Sequence, residues 1–200
     1  MERQCQYLEE LGTLRRADNV TARFACVTIT RETSAKDIGS AEHTRSIPQK
    51  RSAATVVFTD AAGRVLLCEP TYKQVWEAPG GAVEADESPR DGAAREVREE
   101  LGLVVAPGRL VALDYVPPIE GRTEGLIFVY DGGRMTNEQA AAIQLPHEEL
   151  RSWAWCTVDQ VHERMRPLVA RRIEAALGAI ADGGVVELEN GYPVGVKPTE

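Results

Sequence analysis

The stretch "GGAVEADESPRDGAAREVREELGL", residues 80–103, joins a glycine pair, an acidic loop and an amphipathic run, and its reading decides the fold. Ser88 is a good N-cap, Pro89 suits the first helical position, and Asp91 places a negative charge at the positive end of the helix macrodipole. Ala93, Ala94, Val97 and Leu101 fall at helical spacing and can face a sheet, while Gly102 is a natural left-handed stop. The pattern predicts a helix over about 88–101. Glu96, Glu99 and Glu100 then stand at i, i+3 and i+4, with their carboxylates on one face and within reach of a shared point. Like charges so placed cost a helix roughly 0.2–0.5 kcal/mol per pair, so something should compensate. Arg95 can pair with Glu99, and Arg98 can soften the field, which describes an ordinary solvated face. A divalent cation is the other reading, because hard oxygen ligands, a partly hydrated ion and substrate phosphates make a magnesium site.

The longer spacing separates the two readings. Gly81, five residues, Glu87, seven residues, and then Arg95, Glu96, Val97, Arg98, Glu99, Glu100, Leu101, Gly102 and Leu103 match the Nudix box at every defined position. With seven fixed residues at roughly 7% each and two loosely apolar ones, a chance match somewhere in the chain is on the order of one in ten million. The chain therefore resembles the Nudix hydrolase superfamily, through the box at 81–103 and through the strand order over roughly 52–160. The resemblance implies an α/β fold, a Nudix-type α/β/α sandwich with a mixed sheet. It implies that Glu96, Glu99 and Glu100 bind Mg²⁺ or Mn²⁺, that the carbonyl of Gly81 adds a ligand, and that Glu87 and Arg95 orient the others. Catalytic roles fall on Glu99, Glu100, Arg95 and Glu149. Glu149, with Glu148 in "LPHEELRSWAW", resembles the place where some members supply a base or further metal ligand; a solvated helix start is the alternative. Glu120 and Glu124 in "PPIEGRTEG" are rivals on a loop suited to act as a lid.

Outside the box, organisation changes near residue 50. The 200 residues suit one domain with an extra segment, and 43% hydrophobic and 27% charged residues are the proportions of a chain that folds by itself. Residues 1–50 form an N-terminal extension with a short helix (2–16) and strand (20–30), a candidate edge or homodimer element. Residues 51–182 form the main domain and 183–200 a C-terminal tail. Strands are expected in "ATVVFTD", "RVLLCEP", "LVVAPGRLVALDYV" (broken at Pro107 and Gly108), "EGLIFVY" and "SWAWCTV", a turn at "DGG" (131–133), and helix over 158–181 with a break or restart at Pro167. The order does not repeat as βαβ units, which favours a mixed sheet with helices on its faces. A net charge of −8 disfavours an extended nucleic-acid footprint, and "MERQCQYLEE" lacks the apolar core of a signal peptide. Cys5, Cys26, Cys68 and Cys156 are too far apart for a zinc knuckle or redox motif, so the expectation is free thiols in the cytoplasm.

Substrate contacts are less defined. Trp76 and Tyr115 can stack a base, Glu77 is a further candidate for substrate binding, and Arg51, like Arg45, Lys50, Lys73, Arg122 and Arg134, can meet phosphates; packing and ordinary surface charge are the alternatives. Pro118 resembles a position where ADP-ribose-cleaving members often have proline. The function implied is Mg²⁺-dependent hydrolysis of a diphosphate that links a nucleoside to another moiety, ADP-ribose or a nucleotide sugar being favoured and a nucleoside triphosphate possible. A nucleotide-sensing binding module without catalysis, and an RNA decapping pyrophosphohydrolase, are the other readings; no membrane contact is expected.

Overall fold

The computed structural model describes residues 47–195. The helix and strand expected before residue 47, and with them the dimer element, lie outside the described residues. Residues 48–195 belong to one compact unit.

Eight strands make a single mixed sheet: β1 (Arg51–Thr59), β2 (Val65–Pro70), β3 (Gly80–Ala82), β4 (Leu110–Val116), β5 (Gly125–Arg134), β6 (Leu150–Cys156), β7 (Val186–Glu189) and β8 (Tyr192–Pro193). The order is β6-β2-β1-β5-β4-β7-β8, with β3 pairing β1 off this path. β1 runs parallel to β5, and β4 parallel to β7. The helices are α1 (Pro89–Leu101), α2 (Asn137–Ala141), α3 (Val158–Arg164) and α4 (Pro167–Asp182).

Alternation along the strands divides the core into two. Val56, Phe58 and Leu66 pack with Ala93, Val97 and Leu101 of α1 on one face. Val57, Leu67, Val129 and Leu188 pack with Val161 of α3 and Ala170, Ile173 and Ala176 of α4 on the other. Successive strand residues point to opposite faces, so a strand buried on both sides feeds both cores and the α/β/α layering follows.

Several sequence expectations are corrected. Of the stretch from Leu103, expected as a strand broken at Pro107 and Gly108, only the part after the break is strand, from Leu110; the break falls as expected, and the part before it forms no strand. Asp131, Gly132 and Gly133 do not form a turn; β5 continues to Arg134 through a bulge, with Asp131 opposite Val57 and Gly133 opposite Phe58. Gly132 is the extra residue, and a Cβ there would lie 2.7 Å from Val56 Cγ1. The stretch after residue 182, separated by composition as a tail, supplies β7 and β8 to the sheet. The short β3 takes the place of the strand that the element order sets before the box helix, and α2, outside that order, is announced by the capping box of Thr136 and Gln139. Pro167 begins a new helix, since a proline at the first position needs no N–H partner there.

Candidate active site

α1 starts and stops where its sequence dictates. The Ser88 hydroxyl accepts a hydrogen bond from Asp91 N at 3.1 Å, Pro89 opens the helix, and Gly102 closes it at φ +69° with its N–H on the Arg98 carbonyl. Gly92, Ala93, Val97 and Leu101 are buried, whereas Ala94 is only half-buried. The expected apolar face is therefore rotated toward Gly92, which allows Glu87 to approach: a Cβ at Gly92 would meet Glu87 Oε1 at 2.8 Å.

Arg95 organises the acids. Its Nη1 donates to Glu96 Oε1 and to Glu99 Oε2, both at 2.9 Å, and its Nη2 donates to Glu87 Oε1 at 2.8 Å and to the Ala82 carbonyl at 2.9 Å. Nε also reaches Glu87 Oε2, at 3.2 Å. One planar fork thus ties loop, strand and helix together, which a lysine cannot do. The Arg95 hydrogen bonds hold the Glu87 carboxyl below its usual range. Burial pushes Glu96 upward, with Arg95 opposing.

Glu100 stands apart from this fork. Its Oε2 accepts from Gly80 N at 2.9 Å. Burial is the main cause that pushes its carboxyl up to about 8; the Gly80 hydrogen bond opposes this, and the charges of Glu96, Glu77 and Glu149 add to it. Strand pairing brings these acids near. Glu77 exchanges backbone hydrogen bonds with Cys68 of β2, and Thr71 N donates to the Glu149 carbonyl at 2.8 Å, where β2 meets β6. Glu148 offers its carbonyl to the Thr71 hydroxyl at 2.8 Å, and 147–149 is a turn before β6 rather than a helix start.

The donor set suits a divalent cation. Glu99 is 51% exposed at its side chain and Glu96 18%, so one open and one partly covered hard oxygen donor stand on the same helix face as Glu100, whose buried carboxyl a bound cation would hold ionised. Glycine at 81 is required by this geometry, because a Cβ there would come within 2.6 Å of Glu96 Cδ. Among the described residues no three acidic, histidine or cysteine side chains converge on one point, since Arg95 spans Glu96 and Glu99 while Glu100 points to Gly80.

Beside β3 opens a cleft of about 630 Å³. Its floor is the α4 face of β1 and β5, with Ala53, Thr55 and Ile127; Gly80 to Val83 form one wall, the 116–122 loop another, and the start of α4 a third. Arg51 and Glu77 line it. Arg51 is steadied by the Thr123 carbonyl, which accepts from Nε at 3.0 Å and from Nη2 at 2.6 Å. Trp76 and Tyr115 are not among the lining residues: Trp76 packs on the α4 core beneath the Arg164 guanidinium, 4.4 Å from its ring centroid, and the Tyr115 hydroxyl donates to Glu124 Oε2 at 2.6 Å. Glu124 also pairs with Lys50, which occupies it. Pro118 and Glu120 are exposed on the loop at the cleft mouth. Arg122, Arg166 and Arg172, also in the lining, include two residues, Arg166 and Arg172, that sequence reading did not single out, for a helical arginine gives no sign in sequence of which cavity it borders.

The NUDIX domain family matches residues 49–176. The chain belongs to the Nudix family. A MutT-like protein of Streptomyces ambofaciens is 32% identical over 125 residues, covering 62% of this chain and 74% of that one. An RNA pyrophosphohydrolase of Gluconacetobacter diazotrophicus is 29% identical over 140 residues, 59% of this chain and 83% of its own. Among solved structures, an ADP-ribose pyrophosphatase from Streptococcus suis superposes with a TM-score of 0.52 at 18% identity, covering 70% of this chain and 99% of that one, a likeness of fold alone. The protein is a Nudix hydrolase, and Nudix hydrolases in general use divalent metal ions. No helix among the described residues is long and apolar enough to cross a membrane.

Proposed function

We propose that this Nudix hydrolase cleaves, with Mg²⁺ or Mn²⁺, the diphosphate of a nucleoside diphosphate linked to a further moiety. The observation that carries the reading is the Arg95 fork, which holds Glu96 and Glu99 at 2.9 Å and bonds to Ala82, a residue in the wall of a cleft large enough for a nucleotide. Glu96, Glu99 and Glu100 would hold the metal, with the Gly81 carbonyl as a further oxygen. When bound, the ion supplies charge neutralisation at the phosphoryl oxygens and a lowered water pKa.

The chain's own residues do the rest. Arg95 positions two carboxylates, and Glu87 fixes Arg95 in turn. Glu149 is the candidate base: its charge acts on Glu100 from outside the helix, as that of Glu77 does more strongly. Arg51 meets a phosphate in the cleft; Trp76 and Tyr115 act through packing, because neither lines it.

A second reading, removal of diphosphate from the 5′ end of RNA, is favoured by the likeness to the G. diazotrophicus RNA pyrophosphohydrolase and, over a short stretch, to RNA pyrophosphohydrolases of Pseudomonas. An assay panel of ADP-ribose, nucleotide sugars, nucleoside triphosphates and 5′-triphosphate RNA with Mg²⁺ or Mn²⁺ separates the two. Turnover of a small diphosphate is expected, with Glu99→Gln lowering it by orders of magnitude while circular dichroism stays unchanged. Tight binding without cleavage of any substrate would convert the reading to a sensor.

A further inference from the structure

The cleft has a second end. Asp114 on β4 is fully buried and Arg172 on α4 is 8% exposed at its side chain; Arg172 Nε donates to Asp114 Oδ2 at 2.7 Å, and Gly191 N donates to Oδ1 at 3.1 Å. Each oxygen of the carboxylate thereby has one partner. Arg172 is not: its two terminal amino groups make no hydrogen bond among the described residues, neither is sealed off from solvent-sized space, and the residue lines the cleft. A guanidinium offers five N–H donors, so four of this one's remain without a partner among the described residues.

The start of α4 adds donors at the same place. Its N-cap residue, Arg166, forms no side-chain capping bond, and the N–H groups of Leu168 and Val169 have no backbone partner among the described residues. Leu168 and Val169 line the cleft, as do Arg166 and Arg122. An uncapped helix start carries a partial positive charge and free N–H groups suited to an oxyanion. Burial pushes the Arg172 guanidinium down, Asp114 opposes that, and Arg122 adds to it from nearby. Positive groups are therefore gathered at this end of the cleft in a chain of net charge −8.

Sheet register separates this end from the box. Ala82, Ala53, Ile127 and Asp114 are successive partners across β3, β1, β5 and β4. Three strand spacings of about 4.8 Å put Asp114 roughly 14 Å from the box strand, farther than a diphosphate held by the box glutamates extends.

We propose that the end of the cleft remote from the box is a subsite for an anionic group, a phosphate or a carboxylate, carried by the substrate moiety beyond its scissile diphosphate, and that Arg172, Arg122 and the Leu168 and Val169 amides receive it. The word substrate rests on the function proposed above; the subsite itself does not. The test uses the full chain, ¹⁵N-labelled and held in EDTA, titrated with inorganic phosphate and separately with succinate while the Leu168 and Val169 amide signals are followed. Saturable shifts are expected, with affinity falling on the order of ten-fold in Arg122→Gln and in Arg172→Lys, which keeps the charge but loses the fork. Tighter phosphate binding identifies a phosphomonoester, and tighter succinate binding a carboxylate; each supports the subsite. No saturable shift with either anion, or equal affinity in wild type and both variants, overturns it. Since chelation removes the metal, anion binding that survives alongside a failed hydrolysis panel would sink the proposed reaction and leave the subsite standing.

Discussion

Arg95 holds the box together because a single rigid guanidinium satisfies three carboxylates and a backbone carbonyl from one position. Arg95→Lys keeps the charge and loses the planar fork. Metal affinity measured by titration calorimetry is expected to fall about 10–100-fold with the helix content unchanged; unaltered affinity would mean that Glu96 and Glu99 need no such bracing. Glu100 makes a different prediction. Its carboxyl lies at about 8 in the folded protein against 4.5 ordinarily, so between those values the folded state keeps a proton that the unfolded state releases. The stabilising effect of that proton is complete below 4.5 and disappears as pH rises through about 8. Glu96 shifts in the same direction, and Glu87 in the opposite one. Metal-free wild type should therefore lose thermal stability on going from mildly acidic to mildly alkaline buffer, and Glu100→Gln should lose less. Equal losses in both, by differential scanning calorimetry, would remove Glu100 as the source. The spacing of these acids was legible in sequence, but the division of labour among them was not, because which glutamate Arg95 takes depends on how the loop at 82–88 folds back.

At the scale of elements, the box helix was readable nearly to the residue, for cap, proline, acid and terminal glycine all act locally. What escaped was set by distant partners. The bulge at Asp131–Gly133 resembles a turn in composition, and only pairing with β1 keeps it in the sheet. The three residues of β3 are too few to show a period, and they form a strand because β2 leaves β1 to pair with β6 and frees an edge. Two glycines in this region have separable uses. Gly81→Ala would drive a methyl group into the Glu96 carboxylate, so metal affinity should fall while chemical denaturation barely changes. Gly102→Ala places a side chain at φ +69° and 3.1 Å from Gln144 Cβ, so stability should fall by about 1–2 kcal/mol with metal affinity retained. The same response in both variants would deny the distinction.

At the scale of the whole molecule, the buried Asp114–Arg172 pair joins β4, α4 and the turn before β8. Asp114→Ala leaves a guanidinium uncompensated in the core and should cost about 3–5 kcal/mol in urea denaturation; a loss below about 1 kcal/mol would show that water reaches Arg172 freely. The two ends of the cleft come from stretches far apart in the chain, residues 80–103 for one and residues 166–191 for the other, and the sheet between them fixes their separation. That arrangement makes the molecule modular for laboratory evolution: a library varying Arg122, Arg166, Val169 and Asn190 would search new leaving moieties while every atom of the box stays in place.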